Sequence, residues 1–390
     1  MPSPLPRTCT SRSIRATHRR STRTRSWCAP RGSPSPPSRS PPPRAGRSSR
    51  RRSTRPPPHL PEPDAADRGW PGPARMGKAL GMDDAGNPAD TTVEQQTVIG
   101  AGGLPIAVYE RNRGAARTVL LVHGYPDNHS VWDPVAEILA RRFHVVAYDV
   151  RGAGASGAPD GTRGYRLDRL TDDVAAVIAA TVPDDRRVHL VGHDWGSVQG
   201  WHFVGDARVA ARIASFTSMS GPQLDAVGDF LRRRGNAAPS VAAAAYQAAK
   251  SWYVGMFQLP ALAPAFWRSP LGRRAWPRVL ERVEGVPAER LPDADALTRT
   301  QADGANGVGL YRANVPAAMR SPRPPHTSVP VQLVVAEKDR YVSPAMALCV
   351  APLADELVVV RVDGGHWLPL TRPERVAELI TEHIDRQDRP

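Results

Sequence analysis

The sequence predicts an α/β fold: a mostly parallel sheet of eight strands, helices on both faces, and a helical insertion late in the chain. Three observations predict it. From about residue 92, short runs rich in Val, Ile and Leu alternate with amphipathic stretches. Most of those runs are apolar at consecutive positions, as in parallel strands covered on both sides, rather than in-and-out as in half-exposed ones. Between about 222 and 325 the alternation stops; helical and Pro-rich sequence with many aromatics takes over before strands resume.

The elements follow in chain order. "TVEQQTVI" (92–99) and "LPIAVYERN" (104–112), joined by "GAGG", read as an antiparallel pair. The buried-strand runs are "TVLLVHG" (118–124), "FHVVAYDV" (143–150), "RVHLVGH" (187–193), "IASFTSMS" (213–220), "VPVQLVVAE" (329–337) and "ELVVVRVDG" (356–364). Helical spacing of apolar residues marks "SVWDPVAEILARR" (130–142), "LTDDVAAVIAAT" (170–181) and "ERVAELITEHI" (374–384). The insertion falls between the sixth and seventh strands. Ligands of open α/β sheets bind beyond the carboxyl ends of the strands, so an insertion there predicts a lid. The expected organisation is a distinct segment 1–75, core residues 76–221, a helical lid over 222–325, and the rest of the core over 326–390.

Residues 1–75 hold 17 Arg, no Lys and three acids (Glu62, Asp64, Asp67), which accounts for the whole net charge of +14. The remaining chain has 35 basic and 35 acidic residues, so it carries no bulk electrostatic reason to bind a polyanion, and no nucleic-acid partner is expected for it. With 17 Pro, 12 Ser and no Val, the first segment cannot bury enough apolar surface to offset its ordering entropy, and a disordered extension is expected. Three readings stay open: a basic arm for nucleic acid, a targeting segment, or sequence outside the natural coding frame. The last draws on 49 Arg against three Lys, as in a GC-rich genome, and on plausible starts at Met76 and Met82. Cys9, Cys28 and Cys349 give neither a disulfide framework nor a Cys-based metal site. No apolar run approaches the ~18–20 residues of a membrane span. A cytoplasmic protein is expected.

The chemistry is carried by "VHLVGHDWGSVQGW" (188–201), where a strand, a tight turn and a helix meet at Asp194. Many hydrolases carry serine at such a corner, within Gly-x-Ser-x-Gly. Asp339 follows the seventh strand and His366 the eighth. Nucleophile, acid, histidine is the chain order of the α/β-hydrolase triad. Singly, an Asp after a strand is commonly a helix cap and a His commonly structural; together, around a lid-sized insertion, they are a strong signal. "HGYPDN" (123–128) ends the third strand. In that fold an amide from this loop and the amide after the nucleophile, here Tyr125 and Trp195, form the oxyanion hole. "YDVRGAGAS" (148–156) is a Gly-rich turn without the Lys and spacing of a phosphate loop.

Through "HGYPDN", "DVRGAGAS", "GHDWGS", "AEKDRYVSP" and "GGHW", the chain resembles α/β-hydrolase-fold epoxide hydrolases over roughly 92–386. It is also similar to the hydrolase part of actinobacterial proteins that fuse such a domain to a short-chain dehydrogenase. The resemblance implies two lid tyrosines that assist epoxide opening. "WYVGMFQLP" supplies Tyr253, with Tyr246 nearby as the alternative, and "GLYRANVP" supplies Tyr311. It implies no cofactor and no metal. A carboxylate of pKa about 4 is already ionised at neutral pH and suits attack on strained or activated carbon. The expected substrate is a hydrophobic epoxide, in a pocket lined by Trp252, Phe257 and Trp367. Two alternatives stand beside this: a haloalkane dehalogenase with the same triad, against which counts Tyr125 where a halide-binding amide side chain is common, and a non-catalytic binding protein on the same fold.

Overall fold

The structure, a computed structural model, describes residues 92–232, 246–247 and 249–387. The segment 1–75 and the starts at Met76 and Met82 lie outside the described residues.

Among the described residues, eight strands form one sheet: β1 (Glu94–Ile99), β2 (Pro105–Arg111), β3 (Thr118–Val122), β4 (His144–Tyr148), β5 (Val188–His193), β6 (Ile213–Met219), β7 (Val331–Ala336) and β8 (Leu357–Val362). Their order is β1-β2-β4-β3-β5-β6-β7-β8. β2 is antiparallel to both β1 and β4, and every other neighbouring pair is parallel. The expected antiparallel start is thus present, and so is the parallel remainder.

Alternate side chains of the strands feed two cores. Leu120, Val122, Val146 and Leu190 point to the face packed by α2 (Leu167–Thr181) and α3 (Trp195–Gly205), meeting Val174, Val177 and Trp201. Val119, Leu121, Val145 and Val191 point the other way. They meet Val135 and Leu139 of α1 (Asp133–Leu139) and Val376 and Ile380 of the last helix, Pro373–Gln387. Full burial of each such side chain stabilises by roughly 1.5–3 kcal/mol, which is why the central runs show no polar face. α1 is shorter than the expected 130–142. Pro134 has no amide to continue a helical ladder from 130, so His129–Trp132 forms a separate 3-10 turn, capped by the Asn128 side chain on the Ser130 amide.

α2 also carries a buried ion pair. Arg151 reaches Asp173 through two hydrogen bonds of 2.6 Å, while Asp173 accepts the Ala101 amide at 2.8 Å. Asp173→Ala would leave the guanidinium buried without its counter-ion. We expect a loss of about 3–5 kcal/mol, read as a lower urea midpoint at unchanged slope.

Among the described residues, no strand lies between β6 and β7. That stretch holds α4 (Leu224–Arg232), α5 (Trp252–Phe257), α6 (Leu262–Arg268), α7 (Pro270–Arg278) and α8 (Ala294–Arg320). The Asp293 side chain caps α8 by accepting the Ala296 amide at 2.7 Å. Gly307 of α8 lets it approach the loop after β3, since a Cβ there would lie 2.6 Å from the Tyr125 ring. The Tyr125 hydroxyl donates to the Gly304 carbonyl at 2.9 Å. α8 is thereby fastened over the carboxyl ends of the central strands.

Candidate active site

Asp194 stands between β5 and α3 with φ 52° and ψ −121°, a backbone region that favours glycine. The turn closes because its neighbour has no side chain: a Cβ on Gly196 would lie 1.9 Å from the Val122 carbonyl oxygen. The Asp194 amide donates to the Met219 carbonyl at 3.0 Å, fixing the corner to β6. The carboxylate then emerges at the top of the sheet. Its Oδ1 accepts the Tyr125 amide at 2.7 Å. Trp195 supplies the first amide of α3 on the other side of the turn.

Strand ends bring the two partners. After β7, Asp339 is held by the amides of Tyr341 and Val342, both donating to Oδ1 at 2.8 and 2.9 Å. After β8, His366 places Nδ1 3.0 Å from Asp339 Oδ2 and Nε2 3.5 Å from Asp194 Oδ2. Burial opposes the charge on Asp339, but His366 and the two amides outweigh it and hold the carboxyl below its usual range. Burial likewise opposes the imidazolium. Asp339 and Asp194 outweigh it, and His366 stands well above the ordinary histidine range. Both carboxyl groups therefore favour the imidazolium form of the ring.

Tyr311 and Tyr253 face this group from α8 and α5. Their ring centroids are 6.1 Å apart, and Tyr311 packs edge-on against Trp195 at 4.8 Å. Burial first, then Asp194, pushes the Tyr253 phenol up; burial, Tyr253 and Asp194 do the same for Tyr311. Both remain protonated donors. Tyr246 is 58 % exposed with Lys250 over its ring, so of the two early tyrosines Tyr253 is the one set beside Tyr311.

A cavity of about 710 Å³ opens above Asp194, walled mostly by aromatic and aliphatic side chains. A second, of about 420 Å³, shares Asp194, Tyr253, Tyr311 and Tyr341 with it. Phe257 is buried against Tyr125 and Tyr311, and Trp367 is buried beside His366; both line the larger cavity. Trp252 also touches it but is 67 % exposed, so it borders the rim rather than the interior.

Several residues of the site escaped the sequence reading. Asp127, within the quoted "HGYPDN", accepts the Trp367 indole N–H at 2.9 Å; burial pushes its carboxyl up to about 7. Tyr341 lies edge-on to His366 at 4.8 Å. His193, at the end of β5, sits behind the site with its Nε2 2.9 Å from the His366 carbonyl, and burial lowers it to about 4, so it is neutral. Glu284, from the inserted segment, accepts the His366 amide at 3.3 Å. Of these, Asp127, Tyr341 and His193 border motifs that could have flagged them, whereas Glu284 carries no local signal. Among the described residues, no group of three or more His, Cys, Asp or Glu is placed to hold a metal ion, and no helix is long and apolar enough to cross a membrane.

Known proteins resemble this chain in sequence and fold. The chain is 34 % identical over 293 residues to "Probable oxidoreductase EphD" of Mycobacterium tuberculosis, covering 73 % of this chain and 48 % of that one. It therefore spans about half the length of that curated relative. It is 24 % identical over 294 residues to "Epoxide hydrolase 3" of Xenopus tropicalis, covering 68 % and 71 % of the two chains. Among solved structures, a Bacillus megaterium epoxide hydrolase with a bound inhibitor superposes with a TM-score of 0.62 at 21 % identity, over 75 % of this chain and 100 % of that one. A Vigna radiata epoxide hydrolase gives 0.58 at 23 %. At such identities these structures speak for the fold. Residues 117–373 match the family described as alpha/beta hydrolase fold, and the chain belongs to that family.

Proposed function

We propose that the protein is an epoxide hydrolase that opens a hydrophobic epoxide to a vicinal diol through an ester on Asp194. The observation that carries the reading is a carboxylate at the elbow, 3.5 Å from a buried histidine, beneath two protonated tyrosines. Relatives named as epoxide hydrolases support it. The 48 % coverage of the mycobacterial relative agrees with the resemblance to the hydrolase part of a longer fusion.

Asp194 attacks one epoxide carbon; the C–O bond breaks and the oxygen leaves as an alkoxide still attached to the substrate. Tyr253 and Tyr311 hydrogen-bond that oxygen and supply its proton. Esterification removes the charge of Asp194, one of the two carboxylates that favour the imidazolium. His366 then gives its proton up more readily, to the phenolate left by epoxide opening, and the neutral ring, oriented by Asp339, can act as base towards water. Water adds to the ester carbonyl, and the oxygen already bound by the Tyr125 amide becomes the oxyanion, with the Trp195 amide as second donor. Collapse releases the diol and restores Asp194. The inserted helices, expected over 222–325, act as the lid that keeps bulk water from the ester.

The dehalogenase alternative finds less support. The Tyr125 hydroxyl is engaged with Gly304 and Trp267 rather than turned to the cavity as a halide donor. The test is a panel of aryl and aliphatic epoxides beside haloalkanes. Diol formation without halide release is expected, and halide release in its place would overturn the assignment.

A further inference from the structure

Glu284 lies between α7 and α8, far in sequence from every strand end, and its side chain is 1 % exposed. Its Oε2 accepts the His366 backbone amide. Its Oε1 has no hydrogen-bond partner among the described residues; the nearest cation, Arg340, has Nε 3.9 Å away. Burial pushes this carboxyl above the ordinary glutamate range, and His366, through its charge and its backbone N–H, is the main group that favours the ionised form. It is also packed on the peptide that carries the base, since a Cβ on Gly365 would lie 3.2 Å from Oε2.

The charged and titratable groups around that base include Asp127, which accepts the indole N–H of the adjacent Trp367 and is felt by His366. Asp194 and Asp339 face the two ring nitrogens of His366. Tyr341 and neutral His193 lie against the ring, with centroids at 4.8 and 5.0 Å. Arg340 sits beyond Glu284, and the Lys250 ammonium is occupied by the Asp339 carbonyl oxygen. Among the described residues, Glu284 is thus the acid of the inserted segment that is hydrogen-bonded to the histidine loop.

We infer that Glu284 is a positioning residue for the hydrolytic half-reaction: from the inserted segment it holds the His366 peptide in place, and its negative charge biases the imidazole towards its protonated form. This rests on the reading proposed above only in that a hydrolytic half-reaction exists. Ester formation needs the Asp194 carboxylate and the tyrosines, whereas ester hydrolysis needs the His366 ring in register. Glu284 acts through the ring and touches no substrate.

Two variants separate its roles. Glu284→Gln keeps an oxygen to accept the His366 N–H but removes the charge; Glu284→Ala removes both. In the unliganded protein, an NMR titration of the His366 ring should show its midpoint fall by about one pH unit in Glu284→Gln, because a negative neighbour that favoured the imidazolium is gone. In single turnover with an epoxide, alkylation should stay within about twofold of wild type in both variants. Ester hydrolysis should slow about tenfold in Glu284→Ala and partly recover in Glu284→Gln. Its rise with pH should begin lower in Glu284→Gln, as the neutral ring appears at lower pH. An unmoved His366 midpoint in Glu284→Gln overturns the inference, as does an equal loss of both half-reactions in a folded variant, which would mark a purely structural residue. Should Glu284→Ala fail to fold, Glu284→Gln carries both measurements. If wild type forms no ester while the midpoint still moves, the epoxide reading fails and the link between Glu284 and His366 stands.

Discussion

His366→Gln is expected to leave the protein alkylated. Asp194 needs no base to become a nucleophile, so the first half-reaction should proceed; ester hydrolysis, without a base 3.5 Å from the carboxylate, should fall by about 10²–10⁴-fold. Intact-mass spectrometry should show the chain heavier by one substrate and persistently so. Asp194→Asn should show no initial adduct, because an amide is not a comparable nucleophile. A single wild-type turnover in ¹⁸O-water adds an independent check: label should enter Asp194 and not the diol, since water attacks the ester carbonyl. Label in the first-turnover diol would make Asp194 a general base and sink the covalent route.

The second large effect is at the paired phenols. With both Tyr253→Phe and Tyr311→Phe, the developing alkoxide loses both donors, and alkylation should nearly vanish. Either single change should leave a slower but measurable reaction, because the ring centroids are only 6.1 Å apart and the remaining hydroxyl still reaches the shared space over Asp194. Loss of one preorganised donor to a developing oxyanion typically lowers the rate about 10²–10³-fold. Stopped-flow quenching of tryptophan fluorescence, with Trp195 beside Tyr311, would follow alkylation directly. Wild-type rates in the double variant would point to a leaving group that needs no proton, such as halide.

Much of this was legible because sheet and elbow are local statements. The six apolar runs and the expected antiparallel pair all became strands. In β3, β4, β5 and β7, burial on both faces leaves a contiguous apolar signature that no polar face interrupts, whereas β1 and β8 at the sheet edges are partly exposed. Asp194, Asp339 and His366 were readable because each ends a strand, and a parallel sheet gathers its strand ends at one edge. The inserted segment was readable only as helical. Its lengths and contacts come from tertiary packing, which is why Tyr246 and Tyr253 stay open in the sequence and why nothing there tells that Trp252 lines the cavity while largely exposed. Glu284 was invisible for the same reason: its partner is a backbone amide 82 residues away, and no spacing in the sequence records such a pair.

The backbone of Asp194 has a consequence for how this protein could evolve. A residue with a Cβ at φ 52° and ψ −121° raises the energy of the native state by about 1–3 kcal/mol. Glycine would sit there without that penalty. On the mechanism proposed above, the chain is held at its nucleophile in a conformation that selection for thermal robustness alone would discard. A lineage freed from the reaction would be expected to drift at 194 towards glycine or asparagine and to gain stability as it did so. Its descendants would keep the sheet, the inserted helices and both largely apolar cavities, and with them the room to hold apolar molecules.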